Sequence, residues 1–297
     1  MKFKKAIGLL VLLIVIFATA ASAWGIFSNQ GPGKYEFHSL HGEDVEIYGK
    51  GLYRDDSVSG ASQVIAQDGV TLVLGIPVLM IALYLASKGS LKGRLLLNGI
   101  LGYFLYTYAS YSFLVMYNSL FLVYVLLMGA SFFAFTLTMM SWNEVDLSAY
   151  FSPKMPVNFI GGFLIFLAVT IGLMWLGRIM PSLTRGLVPV GLEHYSTLVI
   201  QALDFGFVVP AAFLSGLLLI RRKSFGYLLA PVITVKGIAL LTAIIAMMIG
   251  MVRAGVRVSL IEMVLFPVFD LIAISCLVLM MWNMKEFERK SSESKVR

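Results

Sequence analysis

Eight stretches of this chain are each apolar over roughly twenty residues, the length a helix needs to cross a bilayer at 1.5 Å per residue. They fall at 6–24, 69–87, 95–117, 119–140, 157–177, 197–220, 226–250 and 258–282. A soluble helix carries one apolar stripe and interrupts it with charges every few positions, and these runs do not. Hydrophobic residues make up 59% of the chain and charged ones 13%, too few to cover a water-exposed surface. The expected fold class is all-α: a polytopic transmembrane helix bundle of about eight spans, with a small exported segment after the first helix.

The first run, Ala6–Trp24, follows Lys2, Lys4 and Lys5 and has two readings. It is an uncleaved transmembrane anchor, or a signal-like helix with a small-residue site at Ala21-Ser22-Ala23. The second reading would leave seven spans. Residues 25–66 form the exported polar segment, with Gly-Pro-Gly at 31–33 and an alternation at Val45, Ile47, Tyr48 and Tyr53 that suits a small β-hairpin. Residues 67–284 then hold a seven-helix bundle, and 285–297 form a tail. No internal repeat is legible, and nothing in the residues marks a division into two sets of four helices.

The formal net charge is +7. A basic chain can point to nucleic acid, but here the cations cluster between apolar runs, as the positive-inside rule requires, so no nucleic-acid partner is expected. Lys88, Lys92 and Arg94 form one cluster, Arg221, Arg222 and Lys223 another, and Lys285, Arg289, Lys290, Lys295 and Arg297 a third. With the N-terminus inside, all three are cytoplasmic, which implies a plasma (inner) membrane protein with both termini in the cytoplasm. Arg178, Arg185, Arg253 and Arg257 fall in external loops against the trend. The single cysteine, Cys276, excludes an intrachain disulfide.

Charges inside hydrocarbon cost free energy, so they turn toward protein or water and are the best clues to a site. His194, Thr197, Gln201, Asp204 and Ser215 would lie within about 80° of one another on a regular helix. Lys236 lies near the middle of the next span and could reach Asp204. Asp270 is a second possible partner, and Glu262 lies near the external end of the last span. The candidate ligand or ion site is therefore Asp204, Lys236, Gln201, Asp270, Glu262 and His194. The same charges could equally form a buried ion pair that only holds helices together. Tyr103, Tyr106, Thr107, Ser110 and Tyr117 share one face of the third span, with Tyr111 at its edge, a pattern for helix packing or for lining a cavity. Asp68 suits an N-terminal cap on the second span. His38 and His41 lie near Glu43, Asp44 and Glu46, at spacings that match no zinc signature, and no metal site is assigned. No P-loop, HExxH, GxSxG or paired-histidine haem pattern is present, so no cofactor and no catalytic residue is assigned.

The stretches QDGVTLVLGIP at 67–77, GSLKGRLLLNGILGYFLYTYASYSF at 89–113, YNSLFLVYVLL at 117–127 and ALDFGFVVPAAFLSGLLLIRRKSFGYLLAPVITVKG at 202–237 resemble a family of uncharacterised bacterial multi-pass membrane proteins. The resemblance covers roughly a third of the chain. It implies a bacterial membrane location and carries over no activity and no catalytic residue.

Three classes of function remain open. The first is a transporter or channel-like protein for an ion or small molecule, with Asp204 and Lys236 as its polar centre. The second is a non-transporting module, such as a sensor, an assembly factor or a subunit of a complex, for which a membrane protein partner or a homo-oligomer is expected. The third is an enzyme acting on lipid. In every case the bilayer itself is the first partner.

Overall fold

The computed structural model describes residues 2–142 and 146–285. The tail cations Arg289, Lys290, Lys295 and Arg297 lie outside the described residues. Among the described residues eight long helices follow one another: α1 Lys4–Phe27, α2 Val58–Ser87, α3 Leu91–Phe113, α4 Phe121–Met140, α5 Val157–Arg185, α6 Val199–Ile220, α7 Ser224–Arg253 and α8 Leu260–Trp282. Between α1 and α2 lies a hairpin of β1 Tyr35–His38 and β2 Asp44–Ile47, with Tyr35 opposite Ile47. The chain is a multi-pass, all-α helical membrane protein. Among the described residues, seven helices are long and apolar enough to cross a bilayer. The eighth, α3, is equally long but rich in tyrosine, and it is enclosed by α2, α4 and α7.

Two faces bound the bundle. On one, Lys34 Nζ donates to the Ala254 carbonyl, the His41 ring meets the Tyr195 carbonyl and Met116 N donates to Asp56, so the hairpin and three loops form one cap. On the other, Ser152 N donates to the Asn283 carbonyl and Arg222 to that of Pro153. That second face carries Lys4, Lys5, Lys88, Lys92, Arg221, Arg222, Lys223 and Lys285.

Several helix bounds differ from the sequence expectation, and three of the differences bear on the site. α2 starts at Val58, where Ser57 caps it by accepting from Gly60 N at 2.9 Å, so the last part of the polar segment is helical. α5 continues to Arg185, carrying Pro181 inside it. α6 starts only at Val199, which leaves His194 and Thr197 in a loop. Sequence hydropathy marks where lipid begins, and a helix can end beyond or short of that point.

The helices fall into two consecutive sets of four, α1–α4 and α5–α8, that share one plan. A π-helical turn spans Thr71–Gly75 in α2 and Asp204–Val208 in α6. Each precedes a proline, Pro77 or Pro210, whose missing N–H leaves a carbonyl in the turn ahead without a donor and favours widening. α2 and α3 join through Lys88-Gly89-Ser90, and α6 and α7 through Arg221-Arg222-Lys223. Both middle residues are left-handed, at φ 96° and 51°. Gly89 N donates to Ala86 O and Arg222 N to Leu219 O; Ser90 N donates to Leu85 O and Lys223 N to Leu218 O. Gly93 and Gly226 sit where a Cβ would strike the backbone at the end of the preceding helix. Every one of these pairs, from Thr71 and Asp204 to Gly93 and Gly226, is separated by the same 133 positions.

The packing order repeats as well. α1 and α5 lie on α2 and α6, α2 and α6 on α3 and α7, and α3 and α7 on α4 and α8, while α3 and α7 meet at the centre. The plan breaks at one seam. α1 packs along α4, whereas α5 and α8 share no extended contact and meet at the Phe166–Phe269 ring pair, 6.0 Å between centroids.

Candidate functional site

Where the second set fails to close, a cavity of about 470 Å³ enters from the cap and reaches the interior of the bundle. Its walls come from α2, α3, α5, α6, α7 and α8, and most of the lining is apolar. Below it, toward the basic face, Leu95, Trp142, Leu147, Ile160, Leu219, Tyr227 and Met280 pack into a solid core. The cavity is therefore open toward one face and closed toward the other.

Asp204 stands at its inner wall, on the first residue of the π-helical turn of α6. Tyr106 of α3 donates its hydroxyl to Asp204 Oδ1 at 2.8 Å, and Trp175 of α5 donates Nε1 to Oδ2 at 2.7 Å. The carboxylate is thus held by two neutral donors from two other helices. Lys236, from α7, lines the same cavity. Its ammonium sits over the Tyr106 ring at 4.1 Å, and its stem packs on Gly102. It forms no ion pair with Asp204: among the described residues the ion pairs are Lys34–Glu46, His38–Asp44 and Arg54–Asp55, all in the cap. Lys236 is 8% exposed, and Nζ has no hydrogen-bond partner among the described residues. Tyr106 joins the two charges, giving its hydroxyl to one and its ring face to the other.

The remaining site candidates separate. Gln201 and Glu262 line the cavity with Asp204 and Lys236. Asp270 does not line it; it accepts from Thr242 at 3.1 Å and ties α8 to α7. His194 lies in the cap loop, where its Nε2 meets the Asp55 carbonyl at 3.0 Å. Ser215 leaves the predicted stripe because the wide turn after Asp204 inserts an extra residue and rotates the remainder of α6. On α3, Tyr106, Thr107, Ser110 and Tyr111 line the cavity and Tyr103 accepts from Gln67 at 2.9 Å, while Tyr117 lies beyond the end of α3 in an exposed position.

Asp68 is not a helix cap. It lies inside α2, 2% exposed, accepting from Tyr53 at 2.7 Å and Tyr111 at 3.2 Å. Tyr124 stacks against Tyr108 and meets Tyr111 edge-on, completing an aromatic shell. A Cβ at Gly25 of α1 would fall on the Asp68 carboxylate, so α1 closes the shell. The sequence signal was the tyrosine face of α3; its target was not visible.

At the cap end of the cavity, Asp56 accepts from Met116 N at 3.1 Å and from the Tyr195 hydroxyl at 3.0 Å. Burial, together with the charges of Asp55 and Glu193, pushes its carboxyl up to about 7 against the pull of those two hydrogen bonds. Glu193, also at this mouth, is raised by burial. Arg178 and Arg257 line the same region, so the mouth is mixed in charge. The described residues contain no group of three metal-ligating side chains. No protein-family model, curated protein or solved structure matches the chain.

Proposed function

We propose that the protein is a carrier that moves a small molecule or ion across the membrane through the polar centre at Asp204 and Lys236, with the basic face in the cytoplasm. The observation that carries this reading is the cavity: it enters from one face, ends beside two buried charges and is sealed from the other face by packed side chains. A carrier in one of its two access states has that form. Two four-helix sets in the same orientation, with widened and proline-marked helices at matching positions, are a plan found in transporters, where cargo sits between or within the sets. The cluster of lysines and arginines on the face opposite the cap supports a cytoplasmic placement of that face and of both termini.

Accessibility tests this without knowledge of the cargo. In a Cys276→Ser background, Ser110→Cys and Thr234→Cys place single thiols on the cavity wall. A membrane-impermeant maleimide should label them from the cap side and, in a second population, from the basic side. Labelling from the cap side alone, across a range of pH and lipid compositions, would remove the carrier reading.

A second reading, a partner-binding module, is favoured by the hairpin, where Tyr35, Phe37 and Leu40 are exposed on an otherwise anchored cap. Deletion of residues 36–45 should leave two-sided labelling intact in a carrier and abolish co-purification of a membrane partner in a module.

A further inference from the structure

We propose that the occupant of this cavity is an amphiphile with an anionic head, a carboxylate or a phosphate, seated on Lys236 with its apolar chain along the α5, α7 and α8 walls. This names the cargo class of the site described above and rests on the carrier reading only for the transport step.

The two charges of the site are in different states. Asp204 already accepts one strong donor on each oxygen. Lys236 presents three N–H groups, is more than nine-tenths buried, and among the described residues meets a ring face but no hydrogen-bond acceptor. A buried ammonium without an acceptor is a costly arrangement that a ligand oxygen relieves. The acceptor must come from the occupant, and an anionic one gives the stronger, charge-assisted bond. Asp204 lines the same cavity, but it makes no ion pair with Lys236, and each of its oxygens already accepts from a neutral donor.

The rest of the wall specifies the body of the ligand. Ile171 and Met174 of α5, Leu240 and Met247 of α7 and Phe266 of α8 present an apolar surface, and methionine adapts to chains of varied shape. A small hydrated anion would leave that surface wet. Above the Phe166–Phe269 pair the cap-side halves of α5 and α8 share no extended contact among the described residues, which would give a chain a route in from lipid. The volume suits a ligand of drug size.

The test is equilibrium binding of radiolabelled laurate to the purified full-length protein in maltoside detergent, with competitors of matched chain. Saturable binding is expected. Dodecyl phosphate should displace laurate, while dodecyltrimethylammonium, acetate and inorganic phosphate should be at least about tenfold weaker, a difference of about 1.4 kcal/mol. Lys236→Met should weaken laurate binding by about tenfold or more, and Lys236→Arg by less than about threefold. Equal displacement by the ammonium amphiphile overturns the anionic head, and full displacement by inorganic phosphate or acetate overturns the apolar chain. Unchanged affinity in Lys236→Met overturns the role of Lys236. Should Lys236→Met elute as an aggregate, the competitor series on the unaltered protein decides alone. Two-sided labelling with no anion preference removes this inference and leaves the carrier; anion-selective binding with one-sided labelling does the reverse.

Discussion

The two halves of the bundle begin with the same plan and part at one seam. In the first half, α1 packs along α4, with Ala18 and Ala21 of α1 and Ala130, Ser131 and Ala134 of α4 all buried. Small side chains let the two backbones approach, and the ring of four helices closes. In the second half, α5 and α8 meet through Phe166 and Phe269, and their cap-side ends stay apart. Each half also buries a carboxylate. Asp68 sits in a dry shell of phenols, and Asp204 sits on the wall of an open cavity. The same architecture therefore yields a filled core on one side and an open cavity on the other.

Four experiments would break or sharpen that contrast. The largest expected effect is at the hairpins the halves share. Gly93→Leu and Gly226→Leu each force a side chain into backbone, and each should destabilise the protein by about 3 kcal/mol or more, seen as loss of the monodisperse peak after heating. A loss in one only would mean that the two hairpins are not equivalent. Next, Asp68→Ala leaves the Tyr53 and Tyr111 hydroxyls buried without their acceptor, for about 2–3 kcal/mol. Asp204→Ala should lose about 1 kcal/mol, because cavity water can take up Tyr106 and Trp175. Equal losses would contradict a dry half and a wet half.

The third concerns pH. The Asp56 carboxyl is raised in the folded protein, so the folded state binds the proton more tightly than the unfolded chain does. Stability contributed by this group is complete below the unfolded value of 3.8 and falls as pH rises to about 7. Unfolding free energy should decline over that window, by on the order of 2 kcal/mol in total once water at the cavity mouth is allowed for, and the unfolding temperature should fall with it. Asp56→Asn should flatten the decline, and an unchanged slope would assign it to other carboxyls, with Glu193 the first to examine. The smallest effect is Tyr106→Phe, which removes one hydrogen bond to Asp204 and keeps the ring beneath Lys236. It should lower stability by about 1 kcal/mol and leave laurate affinity within about twofold, measured on the same preparation.

Much of the fold was legible, because a span is a local property. Twenty apolar residues must find lipid wherever they occur, and basic turns such as Arg221–Lys223 mark one face without reference to anything distant. Asp204, Lys236, Gln201 and Glu262 could be picked out because a charge or amide in an apolar run must turn inward, and all four line one cavity. His194 and Asp270 were misplaced for separate reasons. The first lies before the helix begins, and the second finds Thr242 on its own neighbour. Trp175 and Asp68 gave no signal, because an indole in a lipid-length helix reads as apolar and an acid near a run boundary reads as a cap. The repeat was hidden because it resides in backbone features, two wide turns and two left-handed hairpin residues, that different side chains support equally well.

By itself the sequence determined that this protein lives in a membrane, which segments cross it and which few charges must be buried, since transfer from water to hydrocarbon acts on each segment alone. Only the tertiary structure decided that those segments form two matching sets, that one set closes and the other opens, and that Lys236 lines the opening with no hydrogen-bond partner among the described residues. Those outcomes depend on how closely distant helices approach. That distance is set by residues more than a hundred positions apart, Phe166 with Phe269 at one seam and the small side chains of α1 with those of α4 at the other.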